Sequence, residues 1–409
     1  MSSLHQSSGG SVPRDARSGE SGWLGVWCGW VFVGVAAITP LLAWLWPREF
    51  WLAPALAGLL CLPAARLRDE DRPVAVILFA GLLWAAVSTL WSPFHATRLD
   101  NSTVLKLTFQ LPLYGSAILA ARRLDPVLKR RALNVLAWGC ALFGLILLAE
   151  GATHGAVYKA LRQVYGPLRY DLAEARIGHS TYLIGVIWPL AAYGAARRFR
   201  PWLALAMFAG TGAAAVTFGS DAPVLGLILA PVTALIVWRL PNLGPKLLAA
   251  VAVLLFLSMP GLVWAVRHFA DYGALQAALP KTDSMRLGYW SHAIDWIGAQ
   301  PLRGWGLDAS RMFGPGINLH PHNNPLQVWI ELGAIGAVLA AAFWGVALTR
   351  LSRPAPSLAA AAAAACAAVY LLFGVNFGVW QEWWLGLGAM VAMLAVMNVP
   401  VREADSSAL

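Results

Sequence analysis

Long apolar runs recur along the chain from Trp23 to its C-terminal end, and short polar or basic segments separate them. A helix needs roughly 20 apolar residues to cross the ~30 Å hydrocarbon core of a bilayer, and the runs have about that length. The pattern therefore predicts an all-α polytopic membrane protein with about twelve transmembrane helices. The predicted segments are 23–46, 49–65, 73–91, 101–121, 132–150, 178–196, 201–219, 222–239, 247–266, 325–349, 355–375 and 381–399.

Clusters of Lys and Arg fall on one side of this predicted bundle, whereas the short loops on the other side carry little beyond Arg48 and Arg98. By the positive-inside rule the basic side is cytoplasmic, so both termini are predicted to be cytoplasmic. Residues 1–21 are rich in Ser, Gly and Arg and predict a disordered cytoplasmic tail ahead of a transmembrane bundle over 22–400. The clusters are Arg14/Arg17, Arg66/Arg68/Arg72, Arg122/Arg123/Lys129/Arg130/Arg131, Arg197/Arg198/Arg200, Arg239/Lys246, Arg350/Arg353 and Arg402.

Composition supports the membrane class and narrows the partners. The chain is 59% hydrophobic and 12% charged, whereas a soluble domain carries about 25% charged residues. The formal net charge is +10, but its distribution between apolar runs sets membrane orientation and predicts no nucleic-acid partner. The four cysteines lie inside apolar runs without Cys-x-x-Cys spacing, which predicts small core residues rather than a disulfide or zinc framework.

Two longer loops, 151–177 and 267–324, are predicted to lie on the side opposite the cytoplasm. The second is by far the largest soluble piece of the chain. It contains apolar residues at helical spacing, which predict a helix lying on the bundle or at the membrane interface. These residues are Leu287, Trp290, Ile294 and Ile297.

The end of the large loop carries the richest polar segment, which begins His320-Pro321-His322 and runs into an apolar helix. Either Asn323 or Asn324 is suited to cap this helix, with Pro325 in its first turn. Gln327 and Glu331 share one helix face. A carboxylate in a spanning helix is costly, so Glu331 should face the bundle interior and have a partner. The glycines at 333 and 336 predict close helix approach.

Three motifs stand out in and after the large loop: Arg286-x3-Trp290; Pro301-Leu302-x-Gly304-Trp305-Gly306; and His322-Asn323, then nine residues and Gly333-x-x-Gly336. Together they resemble the motifs of a known family, the bacterial O-antigen ligases and polymerases. The specific matches are confined to about residues 284–336, while the predicted topology fits over most of the chain.

The resemblance implies a reaction and a location, the periplasmic face of the bacterial inner (cytoplasmic) membrane. A glycan on undecaprenyl pyrophosphate would be transferred to a hydroxyl of the lipid A-core. His322 would be the general base, since a neutral imidazole is suited to take a proton near pH 7. Arg286 would stabilise the departing pyrophosphate, so the enzyme is predicted to need no metal and no cofactor. Its partners would be the donor, the acceptor and membrane lipids.

Further residues are candidates for substrate binding, each with a simpler explanation beside it. Arg176 could bind phosphate or pair with Glu174, and Lys106 could reach a pyrophosphate or extend to the membrane interface. Arg303 and Arg311 flank the Gly-Trp-Gly motif and, by default, are solvated loop charges. The junction residues that we also predict to bind substrate are Asn323, Gln327 and Glu331.

One departure from the family keeps the acceptor open. Many members carry an arginine in the short external turn after the seventh helix, where this chain has Gly219-Ser220-Asp221-Ala222-Pro223. Arg176 or Lys106 would have to replace it. A polymerase of the same family and a protein-glycosylating ligase are alternatives, because they share the donor and differ in the acceptor. A transporter or flippase is a different class, but we find no internal repeats, and the predicted midplane is nearly free of charges. The tryptophans of 380–384 predict an interfacial aromatic belt, with sugar stacking as the alternative.

Overall fold

The structure is a computed structural model that describes residues 22–163, 170–195 and 201–400. The described residues contain α-helices and 3-10 turns but no β-strand, which confirms the all-α class. The predicted tail 1–21 and the basic cluster 197–200 lie outside the described residues. The α-helices are α1 Trp23–Leu45, α2 Leu52–Leu60, α3 Arg72–Ser88, α4 Thr103–Ala120, α5 Pro126–Thr153, α6 Ala156–Gln163, α7 Tyr170–Ala195, α8 Pro201–Thr217, α9 Asp221–Arg239, α10 Gly244–Phe269, α11 Tyr272–Ala278, α12 Lys281–Ala299, α13 Asn324–Thr349, α14 Pro356–Val375 and α15 Glu382–Asn398.

Eight helical segments of the described chain are long and apolar enough to cross a membrane. They correspond to α1, α3, α4, α5, α9, α10, α13 and α14, while α8 and α15 are apolar but have 17 residues each. The only α-helix in the predicted segment 49–65 is α2, whose nine residues span about 14 Å at 1.5 Å per residue. A multi-pass membrane protein is therefore confirmed, and the number twelve stays a prediction.

Small residues bring several helices into close contact. A Cβ built on Gly210 of α8 would lie 1.8 Å from the carbonyl oxygen of Gly144 of α5, so these backbones touch directly. The alanines of α14 are mostly buried, and Ala368 meets Gly226 of α9. Close packing at small residues is how membrane helices associate.

The expected aromatic belt at the start of α15 is wrong for two of its tryptophans. Trp384 is 0% and Trp383 4% exposed, so neither ring faces lipid. Both pack inside the bundle against Tyr182 and Phe377. The reason is that both residues lie in the first turn of α15, which packs on α7 and α14.

The chain between α10 and α13 covers one end of the bundle, which we call the loop end. This segment contains α11, α12 and a 3-10 turn, Ala309–Met312. Helix α12 confirms the helix predicted from the apolar spacing in the loop. Leu287 and Ile297 are 8% and 6% exposed, and α12 packs on α10 and α13. The loop is thus a fixed part of the bundle surface.

Helix α13 is broken at Gly333, whose φ of 63° and ψ of −164° are not helical. The break frees three carbonyls that a continuous helix would pair with its own amides. Donors from outside α13 bind them instead. The carbonyls of Ile330, Glu331 and Leu332 accept from the Trp305 amide at 2.8 Å, the Gly306 amide at 2.7 Å and the Trp84 indole at 2.9 Å.

The amides beyond the break are also paired with the loop. Ala334 donates to the carbonyl of Pro301 at 2.9 Å, and Ile335 to that of Leu302 at 3.4 Å. An unpaired backbone group within a membrane costs several kcal/mol, so this exchange of partners makes the break tolerable. The expectation that Gly333 serves close helix approach is therefore wrong, since Gly333 admits the loop containing Gly304 into the helix.

Candidate active site

The turn His320-Pro321-His322 lies between α12 and α13, and both helices hold it. The Trp290 indole on α12 donates to the carbonyl of Pro321 at 2.9 Å. The Asn323 side chain accepts from the amide of Leu326 at 3.0 Å, so the predicted cap of α13 is Asn323. His322 has a φ of 53°, a left-handed conformation that is costly for a residue with a Cβ. The turn is therefore held in place by its surroundings.

His322 is partly buried and has a free ring nitrogen. Its ring stacks on Tyr289 at 6.3 Å and 18°. Its Nδ1 atom is buried and has no hydrogen-bond partner among the described residues. Burial and, next, the positive charge of Arg286 lower the pKa of His322 below 6.5, while the nearby backbone of Asn376 opposes this shift. The imidazole is therefore neutral at pH 7 and able to accept a proton.

His320 lies directly beside His322, with ring centroids 4.1 Å apart. The backbone amide of His322 donates to His320 Nδ1 at 3.3 Å. Burial, the neighbouring imidazole and Arg311 lower the pKa of His320 to about 3. Since His320 also stays neutral at pH 7, it supports the turn without adding a positive charge next to His322.

Arg286, on α12 four residues before Trp290, lies close enough to His322 to act on its imidazole electrostatically. Its guanidinium donates to Asp283 at 3.1 Å and to the amide oxygen of Asn376 at 3.4 Å. These two contacts do not use all the donors of the guanidinium, because Nε is buried without a partner in the described chain. The structure therefore brings together His322 and Arg286, the two residues predicted to be catalytic.

Asn376, in the connection from α14 to α15, was not predicted from the sequence. It is 5% exposed, accepts from Arg286, and donates through its amide nitrogen to the hydroxyl of Tyr182 on α7. An amide that interrupts an apolar run just after α14 is the signal that would have identified it. Asn376 connects Arg286 to α7.

The side of α7 that Asn376 contacts carries further polar residues. Arg176, His179 and Tyr182 are three residues apart and so lie on the same side of the helix. Arg176 and Arg48 lie within electrostatic range of the His179 ring. Arg176 has no ion-pair partner in the ranges that the structure describes, so the anticipated pair with Glu174 is not formed. Arg176 remains available to an anion.

The other predicted cations are engaged with protein groups. Lys106 forms an ion pair with Glu382 at the start of α15. Arg303 donates to Gln300 at 3.3 Å and lies over the ring of Trp91, on the exposed side of the loop. This placement fits the default explanation for Arg303, a solvated loop charge.

Arg311 is likewise paired, but it lies nearer to the histidines. It forms an ion pair with Asp308 at 3.0 Å, and its guanidinium carbon lies 5.1 Å from the ring centroid of Phe94. It is close enough to His320 to act on that imidazole electrostatically. Arg311 therefore borders the site on the side of the chain that joins α3 to α4.

Glu331 is 0% exposed and faces the interior, as predicted. Its carboxylate accepts four hydrogen bonds. Oε1 accepts from the Ser310 hydroxyl at 2.6 Å and from the Gln327 amide at 3.0 Å. Oε2 accepts from the Asp308 backbone amide at 3.0 Å and from the Trp380 indole at 2.6 Å. Gln327 is 4% and Asn323 1% exposed. These three junction residues are thus bonded within the protein.

The described residues contain no group of three or more His, Cys, Asp or Glu side chains arranged to hold a metal ion. The positive charge near His322 comes from arginine. The fold and this site together define a multi-pass helical membrane protein. In it a folded loop carries a neutral histidine, His322, close to Arg286, and Arg176 lies on the neighbouring helix α7.

Comparison with known proteins identifies the family that this arrangement resembles. Residues 205–341 match the family model described as O-antigen ligase. This range includes α12, the loop motifs and the His322 junction, so the resemblance seen in the motifs is confirmed there.

Individual relatives agree with the family match. Proteins of Rickettsia conorii and Rickettsia felis, provisionally named polysaccharide ligases, are 30% and 29% identical over 129 residues. A similarly named protein of Rickettsia prowazekii is 29% identical over the same length. Each match covers 28% of this chain and about a third (31–32%) of the relative. No solved structure gives a significant match.

Proposed function

We propose that this protein transfers a glycan from undecaprenyl pyrophosphate to a hydroxyl of the lipid A-core on the periplasmic face of the bacterial inner membrane. One observation carries the proposal. A neutral imidazole with a buried, unpartnered Nδ1 lies beside an arginine that keeps a buried, unpartnered Nε. A proton acceptor next to a phosphate-binding group is what glycosyl transfer from a pyrophosphate requires.

The reaction balances with these two groups. The acceptor oxygen attacks the anomeric carbon of the donor sugar and forms the new glycosidic bond, while its proton passes to His322. The bond from the anomeric carbon to the pyrophosphate oxygen breaks, and its electron pair leaves with undecaprenyl pyrophosphate. Arg286 donates hydrogen bonds to that leaving group, for which a guanidinium is well suited.

Arg176 supplies the second positive charge in this scheme. It lies on the face of α7 that reaches Arg286 through Tyr182 and Asn376. The chain has Gly219-Ser220-Asp221 where many family members carry an arginine. Arg176 therefore takes the place of that arginine in binding the donor phosphates. Lys106 is the weaker candidate, because Glu382 already neutralises it.

The test is an assay of purified protein with a glycan on undecaprenyl pyrophosphate as donor and either a lipid A-core or the donor itself as acceptor. We expect transfer to the lipid A-core, in the presence of EDTA as well as without it. His322→Ala should lower the rate at least about 100-fold, the contribution of a general base. His95→Ala, at an exposed loop histidine, is the matched control. Chain growth on the donor alone would show a polymerase instead.

A further inference from the structure

Glu331 lies within the site but has nothing left with which to bind a substrate. A carboxylate offers about four acceptor positions, and all four on Glu331 are filled by protein donors. The side chain is 0% exposed, so a glycan has no path to it in this arrangement. The prediction that Glu331 binds substrate is therefore wrong, and its role must lie within the protein.

The four donors come from three separate parts of the chain. Asp308 and Ser310 belong to the loop, Gln327 to α13, and Trp380 to the connection between α14 and α15. This one carboxylate thus joins segments that are distant in sequence. Without it, buried N–H and O–H groups from all three segments would lose their acceptor, at a cost of about 1–3 kcal/mol for each unpaired group.

The same segments carry the residues proposed to act on the substrate. Gln327, held by Glu331, also accepts from the amide of Val379 at 2.9 Å, three residues after Asn376. The Ser310 hydroxyl lies 3.0 Å from the carbonyl of Leu319, which directly precedes His320. A shift at Glu331 would therefore move the histidine turn and the Asn376 segment relative to each other.

We propose that Glu331 is a positioning residue for glycan transfer, whose carboxylate locks the loop, α13 and residues 376–381 so that His322 stands beside Arg286. It acts through these segments and does not touch the glycan. The effect of Glu331 on catalysis rests on the proposed function. Its hold on the loop, α13 and residues 376–381 is a property of the fold and does not depend on that function. All four partners are donors. In Glu331→Gln the side-chain NH2 group would replace one acceptor oxygen, so at least one of these donors would face another donor and lose its hydrogen bond.

The kinetic test compares Glu331→Gln, Trp380→Phe and the double variant. Misplacing a reacting group by about 1 Å costs on the order of 100-fold in rate. We expect Glu331→Gln to lower kcat by about that factor, with the KM for the donor changed less than about threefold and the pH profile unmoved. Since both changes break one network, the double variant should be little slower than Glu331→Gln alone. Asp295→Asn, at an exposed carboxylate of α12 paired with Arg267, is the matched control and should keep full activity.

A second measurement separates this proposal from the proposed function. Hydrogen exchange followed by mass spectrometry should show faster exchange of peptides covering 305–322 and 376–381 in Glu331→Gln, with α5 unchanged. Trp380→Phe should show the same effect more weakly, which covers the case in which Glu331→Gln fails to fold. Unchanged exchange in these peptides would overturn the locking role. Multiplicative rate effects, or a large rise in donor KM at constant kcat, would overturn the positioning role. If the wild-type protein transferred no glycan while exchange rose as expected, only the proposed function would fail.

Discussion

Gly304 and Gly333 are packed backbone against backbone, so that a Cβ built on Gly333 would lie 2.5 Å from the amide nitrogen of Gly304 and 2.3 Å from the carbonyl oxygen of Leu302. Both glycines have positive φ angles, 69° and 63°. The two sequence motifs that contain them therefore form one structural unit, in which the loop completes the hydrogen bonding of a broken helix.

This unit predicts that Gly333→Ala destabilises the protein. The backbone conformation alone costs on the order of 1–3 kcal/mol for a residue with a Cβ, and the contact with Leu302 forces a further shift. We expect a lower unfolding temperature and less folded protein in detergent. Gly34→Ala, at a helical position with nothing within 4 Å of the added Cβ, is the control. Equal unfolding temperatures for the two variants would contradict the tight packing at Gly333.

The proposed role of His322 as the base predicts the pH dependence of transfer. Burial and the positive charge of Arg286 lower the pKa of His322, so the neutral base persists to a lower pH than an ordinary imidazole would. The rate should therefore begin to fall only as the pH passes through this lowered pKa. Arg286→Gln removes one cause of the lowering, so the acid limb of its residual activity should move to higher pH. An acid limb that stays in place would argue against electrostatic contact between these residues.

Arg286→Lys tests the geometry of the guanidinium. Lysine keeps the charge but cannot make the forked contact with a phosphate or reach Asp283 and Asn376 at once. We expect a fall in kcat of about 100-fold, comparable to losing one donor to a developing anion. The measurement is the steady-state rate with saturating donor, with hydrogen exchange of α12 as a check on folding. Near-normal turnover would remove Arg286 from the site.

Arg176 on α7 and Arg303 in the loop are predicted to differ in their effect on the donor. Arg176→Ala should lower kcat/KM for the donor by about tenfold, because it removes the guanidinium that is proposed to bind the donor phosphates. Arg303→Ala should change it less than about twofold, because Arg303 is exposed and bound to Gln300. The comparison uses donor titrations at fixed acceptor. Similar losses for both variants would mean that the loop end attracts the donor only through its overall charge.

Local signals in the sequence were sufficient for the parts of the site that are continuous in the chain. The spacing of apolar residues predicted α12, and the Asn323-Asn324-Pro325 run predicted the start of α13, because capping depends on neighbours within a few residues. The interior partner of Glu331 was also foreseen, since a buried carboxylate requires one. These predictions needed only the chemistry of short segments.

Long-range contacts were not readable in the same way. Asn376 meets Arg286 across 90 residues of sequence, and Trp380 meets Glu331 across 49. No local pattern specifies such pairs. Gly333 misled for a related reason, since a small residue in a membrane helix usually indicates close packing of another helix. Only the tertiary structure shows that an extended loop occupies that space.

The loop that enters α13 also imposes an order on biogenesis. Residues 301–306 leave the ribosome before residues 330–335, so they cannot form their hydrogen bonds to α13 until the later segment follows. Helix α13 in turn cannot pair its interrupted backbone until the earlier segment folds against it. Completion of α13 and of the loop is therefore a single coupled event, and a nascent chain stopped before residue 335 lacks part of this hydrogen bonding.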